Sequence, residues 1–442
     1  MNVPNLPDRR EFLARTASRS MLTAAALSGA TAAVSGLLPN SAAANAQTPA
    51  RPPRIAFLGT VVRKHSHAQH FLDRMTLGYT WGGQWQSPRI EVASVYVDQH
   101  PEGDLTDDRV QRHQLKLFPT IEEALTLGSD KLAVDGVVII AEHGDYPKNE
   151  KGQTRYPRYE WFRKVVRVFE DSGRSVPVFS DKHLSTVWDE CTDMVATSKR
   201  LNFPFLAGSS LPVTWRLPSV DVPFNADLTE SVCVAYGGID SYDIHALETA
   251  QCMSERRRGG EVGVREVHAL KGDRLWQRLM QDDCRVTRQL IVSALTRSHS
   301  LPVKDGFPTQ AVSFDWLKAT LPQTTGYLVT HRDGFRTTML LTGIHDFNYA
   351  GRLKDGSTVS CQMYLPMPGQ GATTADFFNP LTRHVESMLL TGTAPYPVER
   401  TLLTSGIVIA GVDSLFQNES PVATPGLEVR YSAPQQSTFW RE

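Results

Sequence analysis

The stretch that decides the fold runs from Val176 to Leu184 and reads V-P-V-F-S-D-K-H-L. Val176, Val178 and Phe179 form a short apolar run of strand type, with Ser172-Gly173 before it and charge after it. Asp181, Lys182 and His183 follow at once, and apolar residues then recur at helical spacing (Leu184, Val187, Trp188, Cys191, Met194, Val195). A strand that hands an acid, a lysine and a histidine to the start of a helix places them at the carboxyl edge of an open α/β sheet, where such sheets bind ligands. The same residues also suit a solvated strand end, so the flanking chain has to decide.

Upstream, Ile55 to Leu58 reads as a first buried strand, and Gly59-Thr60-Val61-Val62-Arg63-Lys64 leads into a helix from about Ser66 to Tyr79. A second strand is predicted from Ile90 to Val97, ending on Asp98, and a short helix from Ile121 to Leu127. Val134 to Ile140 is apolar on both faces, the mark of a central parallel strand. Helices at Tyr159 to Ser172 and Ser185 to Arg200 bracket the Val176 strand, and Phe203 to Ala207 reads as the last one. Strands alternating with helices on mostly short loops predict a Rossmann-like, doubly wound parallel sheet over residues 51–210.

Gly208-Ser209-Ser210-Leu211-Pro212 marks a boundary, and residues 211–432 read as an α+β domain. Strands are expected at Gly263 to Leu270, Thr325 to Thr330, Arg336 to Thr342, Ser357 to Leu365 and Leu427 to Tyr431, in a largely antiparallel sheet. Helices at Asp273 to Arg297 and Pro380 to Gly392 are expected to lie against that sheet, with a final helix at Glu399 to Phe416. Asp346-Phe347-Asn348-Tyr349 reads as a turn or a polar ligand contact.

A chain of 442 residues suits about two domains with a large core. Lys+Arg 46 against Asp+Glu 47 leaves a net charge of -1, which argues against a nucleic-acid partner. Residues 1–46 read as an export signal: Asp8-Arg9-Arg10-Glu11-Phe12-Leu13 is a twin-arginine motif, followed by a mild apolar stretch and Ala44-Asn45-Ala46 as the cleavage site. That route carries folded proteins to the periplasm, often with a cofactor already loaded. After it no apolar run is long enough to span a membrane. The five cysteines are scattered with no C-x-x-C; Cys233 and Cys252 lie on apolar patterns and read as buried thiols, with one unassigned disulfide left open.

Several residues carry chemistry. Gly59 is the only glycine in the first strand–helix turn, so a G-x-G-x-x-G phosphate loop is absent; Arg63 and Lys64 are cations that would serve in its place. Asp98, at the second strand's end, stands where a carboxylate holds ribose hydroxyls. His65 and His67 form an H-x-H that would suit a metal-dependent hydrolase, with His143 of Glu142-His143-Gly144-Asp145 as a further ligand, or else sit at a helix entry. Ala235 to Glu248, A-Y-G-G-I-D-S-Y-D-I-H-A-L-E, sets His245 near a helix start beside carboxylates, as a general acid/base or as a buried structural histidine.

Taken together, the Val134 to Ile140 strand, Asp181-Lys182-His183, Gly237 to Glu248 and the tail from Pro397-Val398-Glu399-Arg400 to Ser414 resemble the Gfo/Idh/MocA oxidoreductases over nearly all of the mature chain. Asp181-Lys182-His183 stands where that family has Glu-Lys-Pro. Gly237-Gly238, His245 and Glu248 look like its glycine and Asp-x-Gly-x-His motif, with Ser241 at the aspartate's place and Asp240 and Asp243 flanking it. The resemblance implies a tightly bound NAD or NADP, a sugar or cyclitol substrate, and pairing of second-domain sheets between subunits. It implies Lys182 and His245 as catalytic residues with Asp240 orienting the histidine, and Gly59, Thr60, Asp98, Glu142 and Lys182 as cofactor contacts. Two rival expectations stand beside it: a non-catalytic carbohydrate-binding protein on the same fold, and a metal-dependent hydrolase using His65 and His67.

Overall fold

β1 (Arg54–Gly59) opens a parallel sheet, and its alternate residues divide between two cores: Ile55 and Phe57 face one, Ala56 and Leu58 the other. α1 (His67–Leu77) and a hairpin of β2 (Tyr79–Trp81) and β3 (Gln84–Gln86) precede β4 (Glu91–Val97). α2 (Thr106–His113) and α3 (Ile121–Thr126) lead to β5 (Gly136–Ile140); α4 (Arg158–Ser172) leads to β6 (Val178–Asp181), and α5 (Trp188–Arg200) to β7 (Phe205–Gly208). The sheet order is β4-β1-β5-β6-β7, all parallel, so strand order reverses between β1 and β5. This is the doubly wound sheet expected from the alternating pattern. The computed structural model describes residues 51–301, 313–366 and 375–441; the predicted export signal lies outside them.

The second sheet is larger. β8 (Arg216–Leu217), β9 (Leu228–Tyr236), β10 (Val264–Lys271), β11 (Thr325–His331), β12 (Arg336–Thr342), β13 (Phe347–Leu353), β14 (Thr358–Met363) and β15 (Val422–Ala423) lie in the order β15-β10-β11-β12-β9-β13-β14-β8. All neighbours are antiparallel except β9 and β12. α6 (Asp243–Ser254) packs on β9, β12 and β13, and α11 (Glu399–Phe416) covers it; every residue of α6 is buried. α7 (Gly272–Leu279), α8 (Arg285–Leu295) and α9 (Phe314–Thr320) share a separate core with Val232, Val234 and Leu340. Among the described residues no helix is long and apolar enough to cross a membrane. All five cysteines are buried free thiols.

Three expectations are corrected, and one strand that the sequence reading missed appears. Asp346 to Tyr349 is not a turn: Phe347 opens β13, which pairs with β9 and β14. β9 itself has a polar start that hides a buried strand; Glu230 is buried there because Arg336, its neighbour on β12, and Thr287 both bond its carboxylate. Leu427 to Tyr431 forms no strand, because the edge of β10 is already paired at Glu266 and Val267 with Val422 and Ala423. α10 (Phe378–Thr391), predicted against the second sheet, packs instead on α1 and the first sheet. Gly136 makes room for it, since a Cβ there would lie 2.1 Å from Leu389 Cδ2.

Candidate active site

Because β5 and β6 are neighbours, with Ile139 opposite Ser180, the segments leaving their carboxyl ends run side by side. Glu142 and Lys182 therefore meet, and the Lys182 ammonium forms an ion pair with Glu142 Oε1. Arg158 of α4 donates to the other oxygen at 3.3 Å and to His183 Nε2 at 3.1 Å. Burial works to raise the Glu142 pKa, but Lys182, then His67 and Arg158, outweigh it and hold the carboxylate well below the usual range. Lys182 has a φ of 65°, a left-handed conformation costing a lysine about 1–2 kcal/mol. Its amide donates to Gly208 O at 3.2 Å, which anchors the strained residue to β7.

Lys182 and Glu142 line a cavity of about 260 Å³ between the two sheets, together with His67, Tyr156, Tyr242 and His245. His245 reaches it from α6. Burial first, then the charges of Lys182 and His67, hold its pKa well below the ordinary histidine value, so the ring is neutral. Its Nδ1 has no protein partner. Asp240, expected to orient His245, instead accepts from the Thr154 amide at 2.8 Å.

Facing both is a pair whose members the sequence separates by 114 positions: His67 Nδ1 lies 2.7 Å from Asp181 Oδ2. Asp181 is 1% exposed, and its other oxygen has no protein partner. Both residues stand out in the sequence, but only the packing of α1 against the end of β6 joins them. His65, at the rim of the same cavity, stacks on His70 with ring centroids 6.4 Å apart. Among the described residues no three His, Cys, Asp or Glu side chains are arranged to hold a metal ion.

The remaining expected contacts lie at the first turn, away from this cavity. Thr60 is buried and ties two loops together, its hydroxyl donating to Glu142 O at 2.7 Å and accepting from Glu142 N at 3.1 Å. Asp98 is exposed and accepts from the hydroxyls of Tyr96 and Tyr146, each at 2.6 Å. Residues Glu142 to Tyr146 form a strap across the turn. Gln99 holds it with two bonds to the Asp145 backbone, both 2.9 Å, and Arg63 donates to His143 Nδ1 at 3.3 Å. Beneath the strap Gly59, Val61 and Val62 are buried, while Arg63 and Lys64 stay exposed.

Glu248 of α6 joins the sheets. It accepts from the Ser209 amide at 2.8 Å and the Ser209 hydroxyl at 2.5 Å, just past β7. Gly208, with φ 116°, lets it approach, since a Cβ there would lie 2.4 Å from Glu248 Oε1. Burial pushes the Glu248 pKa up to about 7, against the lowering effect of Ser209. A carboxyl raised on folding contributes stability that is complete below its unfolded value of 4.5 and lost as pH rises through about 7. Glu248→Gln is therefore expected to remove this fall, and the difference in urea midpoint between variant and parent, measured from pH 4.5 to pH 7, checks it. A constant difference across that window would contradict it.

The combination of a doubly wound parallel sheet and a large, mostly antiparallel mixed sheet defines an α/β protein with a Rossmann-like first domain and an α+β second domain, and a polar cavity lies at the parallel sheet's carboxyl edge. Among solved structures the chain is similar to GenD2 from gentamicin A biosynthesis in complex with NAD, at a TM-score of 0.53 and 12% identity, covering 88% of this chain and 99% of that one. It is also similar to myo-inositol dehydrogenase from Lactobacillus casei in complex with NAD(H) and myo-inositol, at a TM-score of 0.51, 10% identity and coverage of 84% and 96%. A probable dehydrogenase from Thermotoga maritima matches at a TM-score of 0.50, 10% identity and coverage of 85% and 99%. The likeness at this identity is one of fold. No protein-family model and no curated protein matches the sequence.

Proposed function

We propose that the chain is an exported NAD(P)-dependent oxidoreductase acting on a hydroxyl of a sugar or cyclitol. The observation that carries this reading is the convergence of Lys182, from the carboxyl end of β6, and His245, from α6, on one polar cavity. Lys182 gives a charge-assisted hydrogen bond to the reacting oxygen and stabilises the alkoxide character that develops there. Neutral His245 supplies a second hydrogen bond that fixes which hydroxyl is presented. The fold likeness to NAD-bound dehydrogenases supports the reading at the level of analogy.

The residues at the carboxyl edge fit a dinucleotide. The α1 amino end, with Arg63 and Lys64 exposed beside it, suits a pyrophosphate, and Asp98, aimed by two tyrosines, suits ribose hydroxyls. Gly59 and Thr60 form the turn beneath, and Glu142 and Lys182 would border the nicotinamide end. Bound there, the nicotinamide supplies the hydride acceptor. Val61 and Lys64 hold the places where a phosphate loop has its second and third glycines, so the exposed Arg63 and Lys64 side chains would meet the pyrophosphate in their stead. Residues 1–46 are read as a twin-arginine signal, which suits a protein loaded with cofactor before it reaches the periplasm.

Protein exported by its own signal and purified without added nucleotide is expected to release near-stoichiometric NAD or NADP on denaturation, read by absorbance and mass spectrometry. An empty protein that also fails to bind added NAD and NADP would overturn the reading and leave carbohydrate binding as the function.

A further inference from the structure

We infer that the His67–Asp181 pair is the acid–base device of this cavity, with His67 taking the proton of the reacting hydroxyl at Nε2 and Asp181 positioning the ring. The inference rests on the oxidoreductase reading and adds to it the group that handles the proton. Three features of the geometry lead there. His67 presents Nδ1 to a buried carboxylate at 2.7 Å, which places the proton on Nδ1 and leaves the Nε2 lone pair free on the other side of the ring. The ring lines the same cavity as Lys182 and His245. Phe378 packs edge-on against it, ring centroids 4.9 Å apart, which restricts its rotation.

His245 is the less suitable base. No protein group orients its Nδ1, and its burial, reinforced by the charges facing it, favours the neutral ring. A base whose protonated form is so disfavoured gives little driving force for proton transfer. The charged and titratable groups around His67 are Asp181 and Lys182 at the end of β6, Glu142 and His143 on the strap, Tyr156 before α4, Tyr242 and His245 at the start of α6, His65 just before its own helix and His70 on it. The two carboxylates among them stabilise the imidazolium that forms.

The step balances. The substrate O–H bond breaks and its proton forms an N–H bond at His67 Nε2. The electron pair of that O–H bond becomes the second bond of the carbonyl, while the pair of the carbinol C–H bond leaves as hydride to the oxidised nicotinamide. Lys182 bonds the oxygen throughout. His67 is thus a catalytic residue, and Asp181 a positioning residue.

The test uses the full cofactor-loaded protein with Asp181→Asn and His67→Gln. General acid–base groups contribute about 10²–10⁴-fold, so each variant is expected to lower kcat within that range while KM and dinucleotide content hold. Asp181→Asn is further expected to change the acid limb of the kcat–pH profile, and Asp181→Glu to recover part of the rate. A second readout needs no turnover: the low-field proton resonance of a hydrogen-bonded imidazole, assigned by its loss in His67→Gln, should move upfield or vanish in Asp181→Asn. Variants that keep kcat within about threefold, or a resonance that Asp181→Asn leaves in place, would overturn the inference. Wild-type protein without bound or bindable dinucleotide would overturn the oxidoreductase reading instead, and the resonance would still judge the pair. If Asp181→Asn does not fold, His67→Gln decides.

Discussion

Lys182→Met is expected to lower kcat/KM by about 10³-fold, the scale on which loss of one preorganised donor at a developing oxyanion is felt. Methionine keeps much of the length and the apolar stem of lysine but removes the ammonium. The variant should also be less stable, because Glu142 is nearly buried and loses its closest counter-charge, leaving Arg158 at 3.3 Å. Breaking one side of a buried ion pair costs about 3–5 kcal/mol, since the remaining charge stays desolvated. The two effects separate in a double variant. Adding Glu142→Gln removes the stranded charge, so much of the stability should return while activity stays lost. Urea unfolding of the parent, both single variants and the double variant, run beside initial rates, checks this. If the double variant recovers activity along with stability, Lys182 serves the scaffold and not the reaction.

Arg400→Met is expected to destabilise the protein by about 3–5 kcal/mol, since it strands a buried carboxylate outside the cavity. Arg400 sits on α11, which covers α6, and donates to both oxygens of Glu255 at 2.9 and 2.6 Å. Both side chains are 2% exposed. The Tyr431 hydroxyl completes the carboxylate at 2.8 Å, and the Arg400 guanidinium lies 4.2 Å over the Tyr396 ring. Glu255 caps the end of α6, the helix that delivers His245, so the pair fastens the scaffold of the cavity. A bidentate, hydrogen-bonded pair of this kind fixes geometry as well as charge. Arg400→Lys, which keeps the charge and loses the fork, should recover less than half of the loss. Equilibrium unfolding and near-ultraviolet circular dichroism read both variants. A loss below about 1 kcal/mol would place this pair among the weak surface bridges.

Much of the fold was legible because it rests on local signals. Apolar runs bounded by glycine and charge marked β1, β5, β6 and β7, and period-3.6 patterns marked the helices between them. Arg336 to Thr342 and Glu399 to Phe416 were read to the residue. The failures have two causes: β9 and β13 carry, near their starts, polar residues that the fold buries, while Leu427 to Tyr431 and α10 turned on which sheet edge or face was open to them. Glu230 disguises β9 until Arg336 and Thr287 are placed against it; Asn348 disguises β13, where its side chain is fully buried without a protein hydrogen-bond partner.

Of the candidate site, Lys182 and His245 were legible, each beside a strand end or helix start, and the structure brings them to one cavity. Asp240 as the orienting acid followed from the family resemblance, and the fold turns its carboxylate to the Thr154 amide instead. The His67–Asp181 pair carried no joint signal at all.

The sequence alone determined the strand–helix rhythm, and with it a parallel sheet whose carboxyl edge carries Lys182. That much follows from propensity and periodicity, which act over a few residues. The tertiary structure decided which polar groups meet: Glu142 with Lys182, His67 with Asp181, Glu248 with Ser209. A buried charge must have a partner, but that requirement leaves the partner's identity open. Strand order and helix packing settle it, by setting β5 beside β6 and α1 against the end of β6.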